Sequence, residues 1–281
     1  MKFDSLEDKC LYYRGLTDYR ILPNSNIIVM LDGKNFSTLV KNNFKKPFDD
    51  YFINMMNNTA KFLCEQVQGC KFAYVQSDEI SLLITDYDTQ KTDTLFGGRL
   101  CKIQSILASL ATSEFNRHFI NYKLSGIDKS HDGLGLSDVC NAIGKMKMAQ
   151  FDCKCWTVPN QNDAYAWFLY RQLDCIRNSK QQTAQTYLPN KHLFKKNTDE
   201  QVALCNEKTN IDWNDFDDKY KFGRFIFKEE NELTTTLPNG KTITFTRNKF
   251  TIHPAFELTE EVGKEKFMKV AFTVKNGNNN N

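Results

Sequence analysis

The chain alternates between short unbroken apolar runs and longer stretches in which apolar residues recur every three or four positions. Residues 27–31 (IIVML) form an apolar run that stops at Asp32-Gly33, the pattern of a strand buried on both faces. Over 49–68, Phe52, Met55, Met56, Ala60, Leu63, Cys64 and Val67 make a stripe of period near 3.6. Pro47 and Asp49 open that helix and Gly69 closes it. Residues 72–75 and 80–84 read as strands joined through Gln76-Ser77-Asp78-Glu79, close enough for a hairpin. A long helix over 95–119 carries Ile103, Ile106, Leu107, Leu110, Ala111 and Phe115 on one side. A loop over 125–137, with Gly126, Gly133 and Gly135, leads to a strand over 149–158 that Pro159 ends. A helix over 163–179 follows, then a helix over 185–206 interrupted by Pro189. Strands over 224–228 and 242–246 flank the turn Leu237-Pro238-Asn239-Gly240, and the Asn-rich tail 276–281 reads as disordered.

The order strand, helix, strand, strand, helix, strand predicts an α+β fold: a ferredoxin-like βαββαβ core with an antiparallel sheet flanked by helices. Polymerase and nucleotidyl-cyclase palms share that core. It predicts a palm-type catalytic domain over 1–150. Residues 151–275 would complete the sheet and add helices and a hairpin, with 276–281 as the tail. In this fold the first strand and the strand after the first helix are expected to meet at the sheet centre. Asp32, leaving the first, and Asp78, in the following hairpin, would then share one sheet edge.

Composition narrows the partners only a little. Among 281 residues, 41% are hydrophobic and 25% charged, ordinary for a globular protein. No apolar run approaches the roughly 20 residues that span a bilayer, so no membrane partner is expected. The segment 1–8, with Asp4, Glu7 and Asp8, reads as neither a secretory signal nor an acid-poor mitochondrial presequence. Cytoplasm is the expected location, with the mitochondrion as the alternative. The net charge of +3 neither demands nor excludes a nucleic acid, because local lysine groups suffice. Such groups occur at Lys145 and Lys147, at Lys191, Lys195 and Lys196, and at Lys241 and Lys249. Nine cysteines without a C-x-x-C pair, and four histidines without H-x-x-x-H spacing, argue for reduced thiols and against a zinc site.

The chemistry concentrates at the two acids. Asp32 and Asp78 on one edge, with Glu79 beside them and Gly33 permitting close backbone approach, suit Mg²⁺, which takes oxygen ligands and substrate phosphates. Two such ions can stabilise both the attacking and the leaving oxygen of a phosphoryl transfer. Lys34, Lys46, Arg99 and Lys102 are candidate phosphate partners, the last two sharing a face near a helix start. Asn35, Phe36 and Ser37 follow Asp32 directly, and a base could stack on Phe36, which is as well suited to the core.

Five segments, in order between about residues 30 and 180, resemble motifs of the tRNA(His) guanylyltransferase family. They are Met30-Leu31-Asp32-Gly33-Lys34-Asn35-Phe36-Ser37, Phe44-Lys45-Lys46-Pro47-Phe48-Asp49, Tyr74-Val75-Gln76-Ser77-Asp78-Glu79-Ile80-Ser81, Phe151-Asp152-Cys153-Lys154 and Tyr170-Arg171-Gln172-Leu173-Asp174-Cys175. The resemblance implies that Asp32 and Asp78, with the Gly33 carbonyl, ligate two Mg²⁺ ions. It implies that Glu79 supports them within the catalytic group, and that residues 32–37 and Ser77 touch the nucleotide. Lys46, Asp49, Arg99 and Lys102 would surround the nucleotide or its triphosphate. Asp152, Lys154, Arg171, Gln172, Arg177, Asn178 and Ser179 would place RNA or form the wall of the site. ATP, GTP and other nucleoside triphosphates are the implied substrates, tRNA the implied partner, and a homotetramer the implied assembly.

The chain also departs from the family pattern. Met30 replaces a common arginine, and Ser37 stands where eukaryotic members carry histidine. Cys175-Ile176-Arg177-Asn178-Ser179 replaces their C-H-I-N-N. An x-R-N-S ending resembles the guanylyltransferase-like branch, whose members act as templated 3′-to-5′ polymerases. Repair of truncated tRNA 5′ ends is therefore the expected activity, ahead of G−1 addition to tRNA(His). A palm-fold nucleotidyl cyclase and a catalytically inactive RNA-binding module are the more distant alternatives.

Overall fold

The structure, a computed structural model, describes residues 2–89, 91–128, 140–141, 143–236 and 242–272. The turn at 237–240, most of the 125–137 loop and the Asn-rich tail lie outside the described residues.

Strand β1 (Asn26–Gly33) enters first, after helix α1 (Leu6–Gly15). Helices α2 (Phe36–Asn43) and α3 (Asp50–Gln66) lead to the hairpin β2 (Cys70–Gln76) and β3 (Glu79–Thr85). Helix α4 (Leu100–Asp128), strand β4 (Phe151–Val158) and helix α5 (Gln161–Tyr187) follow. Short helices α6 (Asn190–Leu193), α7 (Thr198–Thr209) and α8 (Asp218–Lys221) precede strands β5 (Arg224–Thr236) and β6 (Thr242–Pro254), and α9 (Glu261–Phe272) comes last.

All six strands form one antiparallel sheet in the order β4-β1-β3-β2-β5-β6. The strand after the first long helix, β2, does not lie beside β1 as expected, because β3 folds back between them. The convergence of the two acids survives this change. β3 starts at the hairpin turn, so its first residue, Glu79, pairs with Asp32 and brings Asp78 to the same sheet end.

Alternate side chains of the strands serve two cores. Ile27, Val29 and Leu31 pack with Met56, Leu63, Ile103 and Phe115 of α3 and α4. Ile28, Phe72, Tyr74 and Phe225 pack with Phe168 of α5 and Phe267 of α9. Burial on both faces explains why β1 reads as a continuous apolar run. The predicted helix over 95–119 starts later as an α-helix. Phe96, Gly97 and Gly98 all have positive φ, which breaks it before Leu100. The predicted helix over 163–179 is longer, because Asn160 caps it by accepting from the Asp163 amide. The interrupted helix over 185–206 resolves into the end of α5, α6 and α7. Pro189 sits at the start of α6, and a capping box of Asn197 and Glu200 opens α7. Among the described residues no helix is long and apolar enough to cross a membrane.

Candidate active site

β1 ends at Gly33, and the chain turns at once into α2. Asn35 adopts the left-handed conformation (φ 59°) at the head of that helix. The turn folds Phe36 back over Gly33, so closely that a Cβ there would meet the Phe36 ring at 2.3 Å. Only glycine permits this approach. Phe36 itself is 1% exposed and packs against Phe52, Phe115 and Phe151. Its ring belongs to the core and also borders the cleft described below.

Asp32 pairs with Glu79 on one side and with Asp152 on the other, so the three acids stand in a row on the face covered by α5. Burial and the Asp152 charge push the Asp32 carboxyl above its ordinary value, against the pull of Lys154 and Arg171. Burial also raises Asp78. A hydrogen bond from Ser77 Oγ to Asp78 Oδ1 (2.9 Å) opposes the shift, and the charge of Asp32 adds to it. Neither acid has an ion-pair partner among the described residues. Glu79 differs: Arg171 holds both its oxygens, with Nε at 2.8 Å and Nη2 at 2.6 Å. Paired, unneutralised, hard oxygen donors at a strand end are the donor chemistry Mg²⁺ takes. Asp32 and Asp78 therefore fit such an ion better than Glu79, whose lone pairs are already engaged.

A cleft of about 410 Å³ opens beside Asp78, lined in part by Ser37, Lys46, Phe48, Ser77, Asp78 and Asn178. Its outer wall depends on Asp49. One carboxylate oxygen accepts from the amides of Tyr51 and Phe52 and caps α3, and the other accepts from the Lys45 amide at 2.9 Å. Asp49 thus borders the cleft but spends its oxygens fixing the turn that presents Lys45 and Lys46. Across the cleft, Gln182 of α5 donates to the Pro47 carbonyl. Lys34 and Asn35 are exposed on the turn that follows the strand, where the Lys34 amide donates to Gln150 O at 2.8 Å.

Several expected site residues stand elsewhere or do other work. Arg99 and Lys102 lie at the opposite end of the sheet. Arg99 pairs with Asp18 at 2.9 Å and bridges to Arg20, while Lys102 sits over the Phe96 ring. Thr112, which accepts from the Phe151 amide beside Gly33, is 13 residues further along α4, about 20 Å of helix. The two basic residues therefore do not meet the acids within one chain. Gln172 is fully buried: it donates to Phe256 O and accepts from Leu258 N at 2.6 Å, stapling α5 to the segment after β6. Buried Ser179 receives the Trp213 indole N–H at 3.1 Å. Arg177 and Asn178 both donate to Asp174. Asp152 is exposed beside Asp32, with Lys154 one pair further along β4. Reading the motifs missed Gln182, Tyr220 and Arg224 of the cleft. All three lie outside every motif, and no spacing signal marks them.

The nine cysteines are all free. Burial lifts Cys153 and Cys155 to about 12, as expected of plain core thiols. No group of three or more potential metal-binding His, Cys, Asp or Glu side chains occurs among the described residues.

Comparison with known proteins bears on the family and the fold. The chain is 28% identical over 235 residues to the uncharacterized protein R259 of Acanthamoeba polyphaga mimivirus, covering 80% of this chain and 78% of that one. It is 28% identical over 214 residues to the tRNA(His) guanylyltransferase of Schizosaccharomyces pombe, covering 75% and 73%. A bacterial tRNA(His) guanylyltransferase-like protein solved in complex with ATP superposes with a TM-score of 0.74 at 27% identity, over 96% of this chain and 100% of that one. A bacterial guanylyltransferase-like structure in complex with GTP gives a TM-score of 0.69. Residues 11–159 match the family description tRNAHis guanylyltransferase. The chain belongs to the tRNA(His) guanylyltransferase family and is a nucleotidyltransferase.

Proposed function

We propose that this protein adds nucleotides in the 3′-to-5′ direction to the 5′ end of tRNA, repairing truncated ends under the direction of the opposing strand. The observation that carries the reading is the pair Asp32 and Asp78, unneutralised at one sheet end, with Asp78 lining a nucleotide-sized cleft. The ATP and GTP complexes of bacterial relatives support nucleoside triphosphates as its substrates.

In this reading a tRNA 5′-phosphate attacks the α-phosphate of ATP or GTP, and pyrophosphate leaves. The 3′-hydroxyl of the incoming nucleotide then attacks the activated 5′-phosphate, and the nucleoside monophosphate leaves. A 5′-triphosphate end skips the first step, because it carries its own pyrophosphate leaving group. Two Mg²⁺ ions held by Asp32, Asp78 and the Gly33 carbonyl would offset the phosphate charge and lower the pKa of the attacking hydroxyl. The chain's own groups position the reactants. Glu79, fixed by Arg171, holds the hairpin that carries Asp78. Asp49 fixes the lysine turn at the cleft mouth, and Phe48 gives an apolar wall. No side-chain nucleophile is required. The reading includes a homotetramer and a place in the cytoplasm or the mitochondrion.

A tRNA lacking its first nucleotide, supplied with the four triphosphates one at a time, tests the proposal. Incorporation should follow the base opposite the gap. Addition of G whatever the opposing base would replace templated repair with G−1 addition. Cyclisation of ATP or GTP without tRNA would make the protein a cyclase.

A further inference from the structure

Arg224 opens β5, paired with Val75 of β2, and its side chain reaches the cleft two residues from the hairpin turn. Gly223, at φ 85°, lets the chain turn in beneath Tyr74 to put it there; a Cβ would meet the Tyr74 ring at 2.6 Å. The arginine is only 4% exposed. Its Nε donates to Asn57 Oδ1 at 2.9 Å, and Nη1 donates to the Lys219 carbonyl at 3.4 Å. The buried Nη2 has no hydrogen-bond partner in the protein among the described residues. None of the ion pairs among the described residues involves Arg224 either. The titratable groups that face it, Cys175 and Tyr74, are pushed up by burial and stay neutral at physiological pH.

A guanidinium stays charged when buried. Holding it out of water without an anion, and leaving one nitrogen unbonded, is a standing cost to the fold. The arginine lines the same cleft as Ser77, Asp78 and Lys46, so whatever fills that cleft can supply the missing acceptor.

We infer that Arg224 is a ligand-contact residue, with Nη2 donating to an acceptor atom of the nucleotide that fills the cleft. The acceptor is either a phosphate oxygen or an acceptor on the base edge. This inference rests on the nucleotide reading of the cleft and adds a residue that lies outside all five motifs.

Calorimetric titration of wild type, Arg224→Met and Arg224→Lys with GTP, guanosine and inorganic tripolyphosphate tests it, alongside the melting temperature of each free protein. Arg224→Met should weaken GTP binding at least tenfold, with partial recovery in Arg224→Lys. Loss that extends to tripolyphosphate assigns the contact to phosphate, and loss that extends to guanosine assigns it to the base. A structural arginine alone would shift melting and leave the GTP affinity of the folded variant unchanged, and that result overturns the inference. Should the variants not fold, ¹⁵N-arginine spectra of wild type decide. One buried guanidinium should gain protection from exchange when GTP is added, and no change in any of them overturns the inference. Wild type that binds neither GTP nor tripolyphosphate refutes the nucleotide reading itself. Wild type and Arg224→Met binding GTP alike refute only the role of Arg224.

Discussion

Arg171 of α5 holds both carboxylate oxygens of Glu79, at 2.8 and 2.6 Å, and so commits the acid that sits between Asp78 and the rest of β3 to a buried ion pair. At this sheet end the protein thereby neutralises Glu79 and leaves Asp32 and Asp78 open. Cation–π contacts of Arg171 with Trp167 and Tyr170 hold the guanidinium in place.

Glu79→Gln should destabilise the protein by about 1–3 kcal/mol, because the neutral amide replaces two charge-assisted hydrogen bonds and leaves Arg171 with Asp174, at 3.1 Å, as its remaining anionic partner. Adding Arg171→Met should recover part of that loss. Denaturant unfolding of the two single variants and the double variant measures the coupling; additive losses would show that the pair is not a unit.

Asp49→Ala removes the cap of α3 and the acceptor that fixes the Lys45 amide. A loss of about 1 kcal/mol in stability is expected from the cap. A rise in KM for the nucleotide should accompany it, since the lysine turn loosens. An unchanged KM would separate the turn from binding.

Gly33→Ala forces a methyl group against the Phe36 ring inside a packed aromatic cluster. Overpacking of this kind costs about 1–3 kcal/mol. The displaced strand end should also lower kcat by moving Asp32. Activity at the wild-type level in a destabilised variant would show that the strand end tolerates the shift.

Gln172→Ala should lower stability by about 2 kcal/mol, leaving buried backbone groups of Phe256 and Leu258 unbonded. The affinity of the folded variant for tRNA should match wild type. A selective loss of tRNA binding would return Gln172 to the RNA surface.

What the sequence made legible follows from how local each signal is. The β1 run and the β2–β3 hairpin are buried on both faces, so their apolar pattern is unbroken, and the positions of Asp32 and Asp78 follow from the ends of those strands. The position of Arg99 and Lys102 near a helix start says nothing about which end of the sheet that helix starts from. Gln172 lies within a motif, yet its partners are 84 and 86 residues away, beyond any spacing rule. The strands β5 and β6 were expected to be short because their outer halves are Thr- and Glu-rich and exposed, held only by each other. Arg224 opens a run of apolar residues, where nothing marks a cleft-lining charge.

Single-turnover nucleotide addition to a 5′-truncated tRNA across a Mg²⁺ titration decides whether Asp32 and Asp78 act together in nucleotidyl transfer. Asp32→Asn and Asp78→Asn should each lower the rate by about a thousandfold or more while melting as wild type does, and the double variant should be little worse than either single one. Addition at near-normal rates by either folded variant would contradict the account.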